Sequence, residues 1–307
     1  MGGFPVLTAD YLFDRNSPLQ MLLSEETLTS VCHQYDFMVV AYVYEGEGIH
    51  YIAQDKIRVE PGDLFVIPPG VTHVFQPLDF TGSRPLRILN VLLKREVFDI
   101  PPELTGSLSE ADLARLAFFR KQTSWSGYKD KAMELTDLFN NLQKTYSNQT
   151  STSLPAMYSL LCQLFSSIDP HMQVPFHEEP QMENDPFHDV ILFMLNHFNQ
   201  RISLQEISRY ISISSRHFQR LFKYKTGKSF IQMLQEIRMK YSCVFLAFTD
   251  MRIQNIALEV GIGDMKYFYR LFREYSGMTP ASYRHWQQYH YHSILEGMIY
   301  SARHSAR

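Results

Sequence analysis

Apolar residues change their period along this chain. From Phe37 to about Leu93 they gather in short β-prone runs, FMVVAYVY, GEGIHYIA, DKIRVE, PGDLFVIPPG, VTHVFQP and LRILNVLL, separated by glycine and proline turns. Short strands at this spacing predict an all-β barrel or sandwich. Lys129–Tyr146 and Leu154–Ile168 read instead as amphipathic helices, the first striped by Ala132, Leu135, Leu138, Phe139 and Leu142. The stretch DPHMQVPFHEEPQMENDP, residues 169–186, is rich in proline and acid and reads as a linker. The expected organisation is an α+β multidomain chain: a β-barrel with following helices over 1–168, the linker, and an all-α domain over 187–307.

The last of these regions repeats itself. EISRYISISSRHFQRLFKYKTGKSF, from Glu206, matches NIALEVGIGDMKYFYRLFREYSGMTP, from Asn255, with one extra residue in the turn of the second. Phe218, Arg220, Leu221, Phe222 and Gly227 answer to Phe268, Arg270, Leu271, Phe272 and Gly277. In the first copy, Ser203 and Glu206 make the S-x-x-E pattern of a capping box, predicting a short helix from about Leu204 to Tyr210 and a second from Ser214 or Ser215. In the second copy, Asp264 is a natural N-cap, and Gly261 sits where a tight turn requires positive φ. Between the copies, Ser229–Phe248 predicts one helix with Phe230, Leu234, Ile237, Tyr241, Val244 and Phe248 as its apolar stripe. About 20 residues at ~1.5 Å each span about 30 Å, close to the ~34 Å of one DNA turn. Thr279–Pro280 then opens a last helix running to about Tyr289.

Charge follows the same division. The net charge is -3, but residues 187–307 carry 16 Lys+Arg against 8 Asp+Glu, whereas residues 1–186 carry 13 against 24. That polarity is expected of a polyanion-binding module joined to a domain that does not bind polyanions. On the second helix of the first copy, Phe218, Leu221 and Phe222 share one face and Arg216, Gln219, Arg220 and Lys223 the other. The second copy divides in the same way, with Phe268, Leu271, Phe272 and Tyr275 opposite Lys266, Tyr269, Arg270 and Arg273. Helix, short turn and second helix form the helix-turn-helix unit, whose second helix enters the major groove of DNA. Arginine and glutamine there can pair bidentately with guanine and adenine. Cys32, Cys162 and Cys243 match no metal or redox spacing, and MGGFPVLTAD has neither a basic start nor an apolar core. The expectation is a cytoplasmic protein with no membrane partner.

The residues SLQEIS, HFQRLFKYKTG, IALEVGIGD, YFYRLFREYSG and MTPASYR make the segment from about Asp189 to Trp286 resemble the DNA-binding domain of the AraC/XylS family of bacterial transcription regulators. The resemblance implies two helix-turn-helix units on one long helix, gripping two adjacent major-groove segments of double-stranded DNA per monomer. It places base contacts on Arg216, Gln219, Arg220, Lys266 and Arg270. This chain departs from the family pattern at Ser208 and Ser212, where Ala and Gly are frequent, and at Ile262, where an aromatic is frequent. A non-glycine residue in a left-handed turn costs about 1 kcal/mol.

The run Gly62-x5-Pro68-x-Gly70-x2-His73 resembles the second motif of the cupin barrel and the sensor domain of many AraC-type regulators. In metal-dependent cupins, two histidines and a glutamate on one strand join a later histidine. Here the corresponding positions are His33, Tyr35, Val39 and His73, so only two imidazoles remain, which is a poor metal site. Metal and catalytic residues are therefore expected to be none, and no cofactor is expected. Residues of like parity share a strand face, so His33, Tyr35, Phe37 and Val39 should point into the barrel beside His73 and Phe75. Aromatic walls with a few hydrogen-bonding groups suit a small polar effector such as a sugar. Asn90, a polar residue in an apolar strand, needs a partner or ligand. LRILNVLL resembles rhamnose-type sugar regulators of the family.

The resemblance also implies a homodimer formed by the helices after the barrel, with RNA polymerase as a further partner. The expected function is a DNA-binding regulator, an activator, answering to an effector in the barrel. Two alternatives stand beside it: a metal-dependent cupin enzyme with a basic helical appendage, and a constitutive dimeric DNA binder without effector.

Overall fold

A computed structural model describes residues 4–13, 18–106, 108–130, 135–139, 154–168 and 185–289. Its first part is a pair of antiparallel sheets. Strands β2 (Leu19–Glu26), β4 (Met38–Glu45), β7 (Asp63–Ile67), β9 (Leu86–Leu93) and β10 (Ser126–Lys129) form one, in the order β10-β7-β4-β9-β2. Strands β5 (Gly48–Ile52), β6 (Asp55–Val59) and β8 (His73–Pro77) form the other, in the order β6-β5-β8. A short parallel pair, β1 (Val6–Leu7) with β3 (Gln34–Tyr35), ties the N-terminal segment to the barrel.

The continuous apolar runs of β4, β7 and β9 follow from burial on both faces. Val39, Ala41, Val43, Phe65, Ile67, Ile88 and Leu92 join Ile52, Ile57 and Phe75 of the three-stranded sheet in the interior cluster. Their alternates Met38, Val40, Tyr42, Leu64, Val66, Leu89, Val91 and Leu93 meet a second cluster outside. That outer face is covered by helices α3 (Glu110–Arg120) and α4 (Leu154–Ser167) and by residues 135–139, with Phe119 stacked on Phe165 at 4.4 Å. Earlier come the short helices α1 (Ala9–Leu12) and α2 (Pro102–Thr105).

The predicted helix from Lys129 is corrected in part. Lys129 ends β10, where it pairs with Asp63 by backbone register and by a 2.8 Å ion pair. Residues 135–139 are helical, with Leu135 and Phe139 buried; Ala132 and Leu142 lie outside the described residues. The linker expected over 169–186 is also outside them as far as residue 184, but Pro186 is the first residue of helix α5 (Pro186–His197), which Asp185 caps through the Phe187 amide. Proline at that position loses no hydrogen bond.

The second part is all helical: α5, α6 (Leu204–Tyr210), α7 (Ser215–Thr226), α8 (Phe230–Phe248), α9 (Ile253–Glu259), α10 (Met265–Ser276) and α11 (Pro280–Tyr289). Its core gathers Phe187, Ile191, Phe218, Phe222, Ile237, Tyr241, Ile256, Phe268 and Phe272, all almost completely buried. The two parts dock closely. Val244 and Phe248 of α8 belong to the barrel's interior cluster, and Leu28 of the barrel belongs to the helical core. Thr29 Oγ1 donates to Glu236 (2.9 Å), Lys240 Nζ to Thr27 Oγ1 (2.8 Å), and Lys56 pairs with Asp189 at 2.7 Å.

Candidate DNA interface and effector site

Helices α6–α7 and α9–α10 are the two copies foreseen in the repeat, and their turns match bond for bond. Ile213 N donates to Ser208 O (3.0 Å) in the first, and Ile262 N to Ala257 O (2.8 Å) in the second. The intervening residues, Ser212 and Gly261, are both left-handed, at φ 57° and 75°. The three N-caps act as expected: Ser203 and Glu206 close a capping box, Ser214 accepts from His217 N, and Asp264 accepts from Lys266 N and Tyr267 N. Gly227 and Gly277 end α7 and α10 in the left-handed conformation.

The caps fix which way each second helix turns its side chains. Phe218 and Phe222 on α7, and Phe268 and Phe272 on α10, are fully buried. Arg216, Gln219, Arg220 and Lys223 on α7, with Lys266, Tyr269, Arg270 and Arg273 on α10, are all exposed. Both cationic faces are therefore presented to solvent while the domains are docked. Arg270 lies over the Tyr267 ring at 5.4 Å, and Gln235 of α8 donates to the Tyr267 hydroxyl.

Inside the barrel, four of the five residues singled out for an effector come together. His33 and His73 face each other across an isolated bridge, with ring centroids 4.7 Å apart. Tyr35 lies 4.8 Å from His33 and 4.7 Å from Phe37, and His73 is 6.0 Å from Phe75. Asn90 stands apart, on the same interior face of β9 as Ile88 and Leu92, and its amide donates to Ser24 Oγ at 3.2 Å.

His50 is the member that sequence reasoning missed. It stacks on Phe75 at 3.7 Å and places Nε2 3.3 Å from His73 Nδ1. The available signal was parity, since His50 shares its strand face with Gly48 and Ile52. Burial pushes the His33 imidazole down to about 4, and lowers those of His50 and His73 well below the ordinary histidine value with help from neighbouring imidazoles. The rings are therefore neutral at pH 7. His33 Nε2, His50 Nδ1 and His73 Nε2 have no hydrogen-bond partner among the described residues. Nor does any group of three His, Cys, Asp or Glu in those residues suit a metal ion.

A cleft of about 720 Å³ opens where the two domains meet, lined by Glu26 and Thr27 of the barrel, Lys228 and Lys240 at α8, and Tyr275 of α10. Burial raises the Glu26 carboxyl above its ordinary range and lowers the Lys240 ammonium below its own. Among the described residues no helix is long and apolar enough to cross a membrane.

A β-barrel whose buried imidazoles keep open nitrogens among the described residues, joined to a doubled helix-turn-helix with exposed cationic faces, defines a ligand-responsive DNA-binding protein. Family comparison agrees on both halves: residues 26–106 match the AraC-like ligand binding domain and residues 207–285 a helix-turn-helix domain. The chain belongs to the AraC family of transcription regulators. It is 26% identical over 255 residues to the MmsAB operon regulatory protein of Pseudomonas aeruginosa, covering 82% of this chain and 76% of that one. It is 21% identical over 280 residues to the HTH-type transcriptional activator RhaR of Mannheimia succiniciproducens, covering 89% and 94%. Among solved structures, the C-terminal domain of AraT, a response regulator from Geobacillus stearothermophilus, aligns at 27% identity and TM-score 0.32, covering 34% of this chain and 88% of that one.

Proposed function

We propose that this regulator activates transcription as a homodimer, each chain reading two adjacent major-groove segments, when a sugar-like effector binds the barrel. The observation that carries the DNA half is the paired exposure of α7 and α10. Two copies of one cationic face, one before and one after a 19-residue helix in the chain, are exposed, and that helix's length at ~1.5 Å per residue is near one duplex turn. Arg216, Gln219, Arg220, Lys266 and Arg270 read base edges; Lys223, Tyr269 and Arg273 reach the backbone. Arg220→Ala or Arg270→Ala should cost about 1–3 kcal/mol and relax preference at particular bases, whereas Lys223→Ala should weaken all sequences alike. A gel-shift titration in which Arg220→Ala changed neither affinity nor preference would sink the assignment of α7.

The effector half is supported by the partnerless imidazole nitrogens. Buried polar atoms are nearly always paired, and three neutral rings with one open nitrogen each can take the hydroxyls of a polyol against aromatic walls. His33, Tyr35, His73 and Phe75 form this site with His50, and Asn90 contributes from the opposite sheet. A specific sugar at 100 times its dissociation constant should stabilise the protein by about 2.7 kcal/mol. Thermal-shift screening reads this directly, and the gain should vanish in His73→Phe. The activator assignment follows the naming of the RhaR relatives, and RNA polymerase is the partner it requires.

A further inference from the structure

Reading two grooves at once demands that the two heads keep a fixed distance and angle, and one side chain is placed to impose both. Arg238, on α8, sends Nε to the carbonyl of Phe198 (2.8 Å) and Nη2 to the carbonyl of Gln200 (2.9 Å). Those carbonyls belong to the segment that leaves α5 and enters the first head. The planar guanidinium fork fixes direction as well as distance, which a single ammonium cannot do. Tyr241, one turn further along α8, stacks on Phe198 at 3.7 Å and donates to Leu195 O at 3.1 Å.

The residue between the two carbonyls touches the other head. A Cβ on Gly261 would lie 2.4 Å from Asn199 O, so the turn of the second head rests directly on this segment. Ser212, at the equivalent position of the first turn, carries a side chain in the same left-handed conformation. The contact is thus specific to the joint between heads and is no general demand of the turn. Gln235, three residues before Arg238 and on the same face of α8, holds Tyr267 beneath Arg270. One helix face therefore grips the entrance of the first head and the recognition helix of the second.

We propose that Arg238 is a positioning residue for two-groove recognition: by clamping residues 198–200 against the turn at Gly261 it sets which spacing between read segments the chain accepts. The proposal rests on the two-head reading above, and the test separates the two. The probe is a duplex selected from random DNA by the wild-type full-length protein, together with derivatives in which one base pair is inserted or deleted between the two protected segments. The wild type should lose about tenfold or more in affinity on either derivative. Arg238→Ala should bind the parent duplex less tightly and shrink the penalty for altered spacing below about threefold, with Arg238→Lys in between.

Equal losses on all three duplexes would show a role in stability alone, and no change on any would show no role; either overturns the proposal. If Arg238→Ala does not fold, Arg238→Lys is judged by the same ratio. Arg270→Ala on the parent duplex tests the underlying reading independently. Unchanged base preference there would remove the second head from recognition, whatever Arg238 does.

Discussion

The difference between Ser212 and Gly261 shows how one position takes its meaning from its neighbour. Both are left-handed, yet Ser212 carries a side chain there, whereas a Cβ on Gly261 would meet Asn199 O. Gly261→Ala should combine left-handed strain with a steric clash and destabilise by about 2 kcal/mol or more, lowering the thermal midpoint by at least about 4 °C. Ser212→Gly should be neutral or stabilising by up to about 1 kcal/mol. An unaltered midpoint in Gly261→Ala would mean that the joint yields. At this scale the sequence was legible wherever local geometry dictates the residue: Asp264, Ser203, Gly261 and the two strained or small positions of the first turn. Ser208, where alanine is frequent, is buried and answers with a hydroxyl contact to Ser215 at 2.9 Å. Side chains whose role depends on a distant strand, such as His50 beside His73 or Asn90 beside Ser24, could be nominated or missed but not paired.

Among the elements, β2 and α8 mark the limits of pattern reading. LQMLLSEE is composed largely of helix formers, yet it lies along β9 through eight consecutive pairs, so tertiary pairing overrides its local preference. The stripe of α8 was visible as period 3.6, but not that Val244 and Phe248 turn to the barrel interior while Phe245 and Leu246 stay in the helical core. Phe248→Ala should therefore cost about 3–5 kcal/mol, while Phe118→Ala, 43% exposed on α3, should stay within about 0.5 kcal/mol. Chemical unfolding of both variants checks this contrast.

The histidine-bearing strands β5 and β8 make a second expectation. Their imidazoles are neutral when folded, with pKa values below that of an unfolded histidine, so the unfolded chain gains protons first as pH falls. This contribution is intact above about pH 6.5, the unfolded value, and erodes as pH falls below it. Glu26 and Asp63, whose carboxyls burial raises, act in the opposite sense. The histidine part is isolated by His50→Phe, which should flatten the fall in melting temperature between pH 7.5 and 5. Identical profiles for wild type and variant would contradict it.

For the whole molecule, charge asymmetry and the repeat made the two-part architecture readable, because each part has its own hydrophobic period. Their docking was not readable. It depends on contacts such as Thr29 with Glu236 and Lys240 with Thr27, separated by 207 and 213 residues. Under the proposed function, that interface is the route by which the effector acts on DNA binding. A ligand changes DNA affinity only through its differential affinity for two arrangements, and α8 is at once the spacer between heads and part of the barrel's interior packing.

The most direct test is methylation interference at guanine N7 on a duplex selected by the wild-type protein. Each chain is expected to be blocked by methylation in two major-groove segments about 10 base pairs apart on one face of the helix. Arg220→Ala should abolish interference in one segment and Arg270→Ala in the other. Interference confined to a single segment, or two segments unaffected by either substitution, would contradict the account.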